Sequence, residues 1–397
     1  GTGDWSSDVC SSDLNNILKE EFMIKKVLVS ILALSLAVGA FGQSLEENLG
    51  NMLSDNAEMY LQPLGDAFGS GMNSAWYHRS RVHKMLGFDI SLKAMVAAVP
   101  EESEFFNFAL NESDMEFDLD DIIGADVNPL LLSFGDIYYE TETRTPTFFG
   151  PDSGGTLVTN QLHLTGLFED HLRTEMTALL TSQGVNAALI PGMVDQAIAD
   201  ADLATAVGEM DLDLPLPPGI NLPALPLVMP QLALGLPMGI ELIVRGMPDI
   251  EDEDIGTISM YGGGLRLNID QFIPIPLFPV DITAGAFYSQ MSIGNIIESS
   301  NMSFGLQVGK SMDLLIFGVG VYADAAYEMS SLSIGYDVDP SFGMENDRIQ
   351  FDMETDPGMR IGAGLHLKLI PFTYFNVHVS QTPTNSVVTA GFGISLR

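Results

Sequence analysis

From Leu86 onward the chain returns again and again to one pattern, in which apolar residues occupy every second position and glycine, hydroxyl or charged residues sit between them. Leu86, Phe88, Ile90, Leu92, Ala94 and Val96 alternate with Gly87, Asp89, Ser91, Lys93, Met95 and Ala97. Met302, Phe304, Leu306 and Val308 do the same, as do Ile361, Ala363, Leu365, Leu367 and Leu369, and the closing Val388, Ala390, Phe392, Ile394 and Leu396. Successive side chains of an extended strand point to opposite faces, so each run predicts a two-faced strand. Comparable runs lie at 240–245, 265–270, 280–290, 317–327 and 375–380.

A soluble sandwich alternates too, but two features favour a membrane barrel. The apolar faces are almost free of charge over roughly 8 to 11 residues, enough to cross hydrocarbon at a tilt, and the opposite faces suit a wet or ion-paired lumen. Connection lengths agree. With the C-terminus placed on the inner side, the turns at 371–373 and 310–313 fall inside and are short. The stretches 337–355, 291–300 and 247–254 fall outside and are mostly longer, with 381–385 a tight exception. The apolar stretch 222–244 is interrupted by Pro223, Pro226, Pro230 and Pro237, which a membrane-spanning helix would not tolerate. It reads instead as a hairpin of 231–236 and 238–246 around Pro237. Ten strands are counted in this way, and further ones are candidates at 104–110 and 131–139. The sequence therefore predicts an all-β fold, a transmembrane antiparallel β-barrel of 10 to 14 strands with twelve preferred.

Charge narrows the partners. With 53 acidic against 16 basic residues and a formal charge of -37, the chain has no basic face for phosphates, and nucleic acid is excluded as a partner. A hydrophobic fraction of 46% with 17% charged residues is too apolar for an acidic disordered chain. Lipid of a bacterial outer membrane is the expected surroundings.

Residues 1–22 are read as lying upstream of the true start, and 1–14 (GTGDWSSDVCSSDL) resemble a translated sequencing-adapter read-through. Met23-Ile24-Lys25-Lys26 is a basic n-region, 27–41 an apolar stretch, and Ala40-Phe41-Gly42 a set of small residues of the kind a signal peptidase reads, so 23–42 is the expected signal peptide. Removing residues 1–42 takes away Cys10, the only cysteine, leaving no disulfide, thiolate nucleophile or Cys-ligated zinc.

Residues 43–84 are expected to form an N-terminal helical plug. Leu45, Leu49, Met52, Leu53, Ala57, Tyr60 and Leu61 recur at helical spacing, and Pro63 is expected to end or kink that helix. A glycine-rich stretch, 64–77, then leads to the basic cluster His78, Arg79, Arg81, His83 and Lys84, which a plain reading makes a solvated linker. The plug candidates are Tyr60, Phe68, Asn73, Trp76 and Tyr77. The barrel should occupy 85–397, interrupted by a long insertion at about 100–229 with helices at 171–181 and 193–207 and a proline-rich end at 214–230.

The succession NAEMYLQPLGDAFGSGMNSAWY, VHKMLGFDISL, MPQLALGLPMGIELIVRGMP, GGGLRLNIDQFIPIPLFPVDI and VVTAGFGISLR resembles a family of exported bacterial proteins known as a domain of unknown function, and the resemblance covers most of 44–397. In architecture that family is distantly similar to the long-chain fatty acid transporters of the outer membrane, which implies an N-terminal plug inside a barrel and transport of a hydrophobic ligand. The Asn-Pro-Ala expected of those transporters near the mature N-terminus is missing, with Asn73-Ser74-Ala75 the nearest stretch.

The lumen-lining candidates are Asp89, Lys93, Glu241, Arg245, Arg266, Asp270, Asp281, Asp324, His366, Lys368 and His378. They are read either as a permeation path or as an ion-paired filling. Glu241 and Arg245 are too far apart on one strand to pair directly, so their partners are expected on adjacent strands. A three-residue turn at 371–373 would set His366 opposite His378, but no third ligand is evident by spacing, and neither a metal nor a cofactor is expected. The acidic DIEDED at 249–254 and NESDMEFDLDD at 111–121 lack the glycine of a calcium-binding loop and read as solvated. There is no Gly-x-Ser-x-Gly, His-Glu-x-x-His or P-loop, so no enzyme is predicted. A barrel hydrolase would have to assemble Ser, His and Asp from separate strands. The expected function is that of a channel or transporter, with a non-conducting scaffold or surface interaction protein as the alternative.

Overall fold

The alternating runs form one antiparallel sheet that closes on itself. This computed structural model describes residues 54–109, 114–117, 128–139, 144–210, 212–252, 256–274, 280–294, 296–313, 317–337, 348–370 and 372–396. The expected signal peptide, Cys10, the first part of the 45–61 helix and parts of both acidic loops lie outside the described residues. The barrel strands are β1 (Phe88–Ala98), β2 (Ala224–Leu236), β3 (Ile240–Asp252), β4 (Gly256–Asn268), β5 (Asp281–Ile293), β6 (Ile297–Asp313), β7 (Gly318–Asp337), β8 (Arg348–Ile370), β9 (Thr373–Gln381) and β10 (Ser386–Leu396). Each pairs with its neighbour in sequence, and β1 closes the ring by pairing with both β10 and β2. The barrel end from which 99–223 departs is called upper here, and the end carrying Leu396 lower.

The wall has ten strands, not the preferred twelve. The two further candidates contribute only Phe105–Asn107 and Leu130–Ser133, which pair with Arg144–Pro146 and Asp114–Phe117 in separate two-stranded sheets. Ladders of three or four residues cannot take a place among strands of 9 to 23 residues. Several strands also overrun the loops expected from sequence. β7 and β8 reach 20 and 23 residues, and β5 and β6 leave only 294–296 between them, so 291–293, 297–300 and 348–355 are strand. Polar cross-strand pairs sustain the ladder beyond the apolar zone, with Ser300 and Ser331 hydroxyls 2.8 Å apart and Ser259 and Ser292 likewise. The lower connection 269–280 is longer than the upper 253–255 and 294–296, contrary to the expected contrast of loop lengths.

Outward-facing side chains make an apolar belt. On β6, Met302, Phe304, Leu306, Val308 and Met312 are all exposed, with Lys310 near the lower end. The ten steps from Met302 to Met312, at about 3.3 Å each and a tilt of about 40°, give a height of roughly 25 Å, the thickness of an outer-membrane hydrocarbon band. Ile90, Leu92, Leu232, Val244, Leu265, Val321, Ile361, Val379 and Phe392 continue the belt around the ring. No described helix is long and apolar enough to cross a membrane.

The seam between β2 and β3 is the exception in the wall. Only Gln231–Leu236 pair with Ile240–Arg245, whereas above them β2 keeps only β1 and β3 keeps only β4. The proline-rich 224–230, expected to belong to the insertion, is the upper half of β2. Pro226 and Pro230 point outward and lack an N–H, so a strand that is unpaired on one side loses little there. At the lower end, positive φ at Met238 and Gly239 (62° and 68°) closes the β2–β3 turn.

The chain divides into two compact units, one comprising Leu61–Glu101 and Leu222–Arg397 among the described parts, the other Asn51–Tyr60 and Glu102–Asn221. Helix α1 (Ser54–Asn73) carries Pro63 in its interior instead of ending there and runs on through the glycine-rich stretch. Losing one helix hydrogen bond there is offset by burial, since Leu61, Leu64, Ala67, Phe68 and Met72 are at most 6% exposed. In the second unit, α2 (Gln161–Ser182), α3 (Ile190–Ala201) and α4 (Leu203–Glu209) account for the expected helices. The 193–207 helix is two, broken at Asp202, whose φ is 43°. Leu164, Phe168, Leu172, Ile190, Val194, Leu203 and Val207 form the buried face of the three helices.

Candidate functional site

The barrel interior has two layers of opposite chemistry, both built by the inward face of the same alternation. In the upper layer the strands turn in Met95, Ala97, Leu225, Leu227, Met229, Ile258, Met260, Met291, Ile293, Leu332, Ile334, Met353 and Val387, all buried. The part of α1 from Leu61 lies among them. Gly65 faces Leu332 of β7, Gly69 faces Ser330, and Gly71 faces Leu227 of β2. A Cβ at Gly71 would stand 2.6 Å from the Leu227 side chain, so glycine sets how closely the helix approaches the wall. Asn73 donates to the Ser330 hydroxyl at 3.0 Å.

After Asn73 the chain turns at Ala75, a non-glycine residue with φ of 65°, and residues 74–87 descend through the lower layer. Arg245 of β3 donates to the carbonyls of Ser74 (3.0 Å) and Met72 and lies 3.4 Å from the Trp76 ring centroid. Trp76 stacks on Phe287 at 4.8 Å, and its carbonyl accepts from Gln231 at 3.1 Å. Tyr77 sits among Phe287, Tyr322 and His378.

Two ionic clusters hold the lower layer. In the first, Glu241 accepts from the His83 N–H at 2.9 Å, lies 2.6 Å from His83 Nδ1, and pairs with Arg266 at 2.6 Å. Glu241 and Arg266 are direct cross-strand neighbours, so the expected adjacent-strand partner of Glu241 is Arg266. Arg266 also donates to the Arg79 carbonyl and to Gln307, each at 2.6 Å. Asp89 lies 3.6 Å from both His78 and His83. In the second cluster, Asp324 lies 2.6 Å from His378 Nε2 and 3.4 Å from Arg360, whose Nε donates to Glu328 at 2.5 Å. Arg81 pairs with Asp281 at 3.2 Å.

Glycines on intervening strands let these partners meet. Asp324 on β7 and His378 on β9 reach each other over Gly362 of β8, where a Cβ would stand 2.9 Å from the carboxylate oxygen and closer still to the imidazole. Lys93 on β1 donates to Asn376 on β9 at 3.1 Å over Gly391 of β10 in the same way.

Of the residues singled out from sequence, Asp89, Lys93, Glu241, Arg245, Arg266, Asp281, Asp324, His366 and His378 are buried on the inward face, and Lys368 is half-buried on the same face at the lower end. Asp270 is not on a strand but in a short turn, Asp270–Phe272, because β4 stops at Asn268. His366 and His378 are not opposite each other. Ile370 pairs with Thr373 around a two-residue turn, and a bulge at 368–370 sets His366 against Asn376 and His378 against Gly364. The rings then part, His366 towards His78 and Tyr374 and His378 towards Tyr322. Among the suggested plug residues, Phe68, Asn73, Trp76 and Tyr77 belong to the barrel unit. Tyr60 belongs to the other, where it packs on Phe148 and donates to the Pro218 carbonyl at 2.9 Å.

Sequence reasoning missed Glu328, Arg360, Tyr374 and Asn376, and placed His78, Arg79 and His83 at the end of the N-terminal segment without partners. Glu328 and Arg360 each sit one residue beyond an apolar run that was stopped too early. Extending the alternation by one step was the available signal. Among the described residues no group of three or more His, Cys, Asp or Glu is placed to hold a metal.

Among solved structures, the chain is similar to the N-terminal β-barrel domain of Pseudomonas aeruginosa OprF, at 12% identity and a TM-score of 0.23, covering 40% of this chain and 96% of that one. It is similar to the KdgM porin in complex with disordered oligogalacturonate, at 10% identity and a TM-score of 0.21, covering 43% and 93%. A third is a loop-deletion mutant of OmpT, an outer membrane protein of Vibrio cholerae, at 9% identity and a TM-score of 0.22, covering 78% and 100%. None of these three is described as a long-chain fatty acid transporter. No curated protein matches the chain. A family model does match, over residues 23–396, and the chain belongs to that family, the family of unknown function DUF6588.

Proposed function

We propose that the chain is an outer-membrane channel or transporter in which residues 61–87 act as a plug, and that its cargo is a small hydrophobic compound. The observation that carries this reading is the layered lumen. A helix and an extended segment fill the barrel through a few polar anchors, and the layer nearest the upper mouth is apolar. The unpaired upper half of the β2–β3 seam adds an apolar flank, bounded by Leu225, Leu227 and Met229 on the inside. Arg245 is the anchor at its foot. It holds two backbone carbonyls of the plug and, among the described residues, has no carboxylate partner.

Uptake of an apolar dye into liposomes tests this. Deletion of residues 44–77 should change uptake markedly. The double variant Arg245→Ala with Trp76→Ala, which loosens the plug without removing it, covers the case in which the deletion does not fold. Unchanged uptake in folded variants refutes plug gating.

A second reading has its own observation. On the second unit Leu189 and Met193, one helical turn apart at the start of α3, are 60% and 47% exposed, which suits a partner protein on a non-conducting scaffold. A stoichiometric crosslinked partner together with no measurable permeability would favour it.

A further inference from the structure

The lower layer holds one constellation that plug anchoring alone does not use. His83, whose ring is fully buried, places Nδ1 2.6 Å from Glu241 Oε1, and its backbone N–H donates to the same oxygen at 2.9 Å. The other Glu241 oxygen is held by Arg266 at 2.6 Å, so the carboxylate is fixed from two sides. An imidazole that donates from Nδ1 to a carboxylate carries its lone pair on Nε2. That nitrogen lies 3.1 Å from the Ser395 hydroxyl. Asp89, opposite Ser395 on β1, is 3.6 Å from the same nitrogen, beyond hydrogen-bond reach, so the hydroxyl is the donor that meets the lone pair.

A serine hydroxyl on an imidazole whose far nitrogen is held by a carboxylate is the arrangement that turns serine into a nucleophile, because the imidazole takes the proton and the carboxylate fixes its tautomer. The three groups come from β10, the plug segment and β3. Ser395 and Glu241 stand 312 and 158 residues from His83, so no short motif announces them.

Burial separates the roles. His83 and Glu241 are closed off, whereas Ser395 is half-buried one residue from the end of β10, at the lower mouth. Its N–H is bound to the Phe372 carbonyl at 2.6 Å, and Phe372 is exposed, as are Met85 and Leu86 soon after His83 in the chain. The end of the barrel that carries the hydroxyl thus offers apolar side chains, which suits an acyl group. Arg79, whose carbonyl is held by Arg266, has a buried Nε without a partner and no carboxylate pair among the described residues, and its charge acts on both Asp89 and Glu241. Such a guanidinium is a donor suited to a developing oxyanion.

We propose that Ser395, His83 and Glu241 form a serine-esterase site at the lower mouth, with Ser395 as nucleophile, His83 as general base and acid and Glu241 as positioning residue, acting on carboxylic esters of an apolar acyl chain. Ser395 Oγ bonds to the carbonyl carbon as its proton passes to His83 Nε2. The adduct collapses, the ester C–O bond breaks, and the alcohol leaves with that proton. Water, deprotonated by the same nitrogen, then attacks the acyl-serine, releasing the carboxylic acid and returning the proton to Ser395. This goes beyond the transport reading and does not depend on it.

The test is hydrolysis of p-nitrophenyl octanoate by the full chain in detergent micelles, together with labelling by a fluorophosphonate probe located by peptide mass spectrometry. The expected results are turnover with a higher kcat/KM than for p-nitrophenyl acetate, and a label on Ser395. Ser395→Ala, which removes only a half-buried hydroxyl near a strand end, should lower turnover by about a hundredfold or more and abolish the label. Glu241→Gln, which no longer fixes the tautomer of His83, should lower kcat by about tenfold or more with KM little changed. Heat-modifiable gel migration shows which variants are folded, and the label on the wild-type chain decides the matter where Glu241→Gln does not fold. A folded wild-type chain with neither turnover nor label on Ser395, turnover that survives Ser395→Ala, no preference for the octanoyl ester, or a folded Glu241→Gln with unchanged kcat overturns the inference.

Discussion

The upper half of the lumen is filled like the core of a soluble protein, whereas the lower half is filled like a network of buried ion pairs. Both halves come from the same inward-facing positions of the same strands, and both wrap one continuous piece of chain, residues 61–73 of α1 above and residues 74–87 below. The difference teaches that the two layers hold that segment by different physics. Above, the contacts are non-directional and depend on volume, so a lost methylene leaves a cavity and a graded cost. Below, the carboxylates of Glu241, Asp324 and Glu328 are each held by a particular cation, so losing that cation leaves a buried charge uncompensated.

The comparison can be broken most sharply at Arg266. Arg266→Ala leaves Glu241 buried without its guanidinium and should cost about 3–5 kcal/mol in urea unfolding followed by Trp76 fluorescence. Replacing both partners by Met and Leu should recover most of that loss. If the double variant is as unstable as the single one, the lower layer is not governed by charge pairing. Next comes Gly362→Ala, whose added methyl separates Asp324 from His378 and should cost about 1–3 kcal/mol. In the upper layer Ile334→Val trims one methylene from a fully buried side chain, for which about 0.5–1.5 kcal/mol is expected. Smallest of all is Arg173→Ala in the second unit. Its pairs with Asp195 (2.5 Å) and Glu169 (2.9 Å) are exposed, and its removal should leave the unfolding midpoint unmoved.

The barrel was legible because period two is a local property. Each of the ten strands shows it over several residues, and the inward positions of Asp89, Lys93, Glu241, Arg266 and Asp324 follow from parity alone. What parity cannot carry is anything set by partners. Pro63 looks like a helix stop until α1 is surrounded by apolar wall, and Pro226 and Pro230 look like loop until β1 takes up one side of β2. The His366–His378 pairing failed on a single bulge, which shifts register without changing composition. Tyr60 fits the helical period of the plug, yet it packs with the other unit. The partners of His78 and His83 were not legible, because Glu241 lies 158 residues from His83 and Asp89 was read as lining the lumen alone.

The central claim is that the apolar belt meets acyl chains while residues 61–87 are shielded from them inside. Expressed from Gln43 onward, the chain has one tryptophan, Trp76, and Leu306→Trp in a Trp76→Phe background moves it to the belt. In vesicles of lipids with brominated acyl chains, the fluorescence of the tryptophan at position 306 should be strongly quenched and that of Trp76 nearly untouched. Strong quenching of Trp76, or none at position 306, would contradict the account.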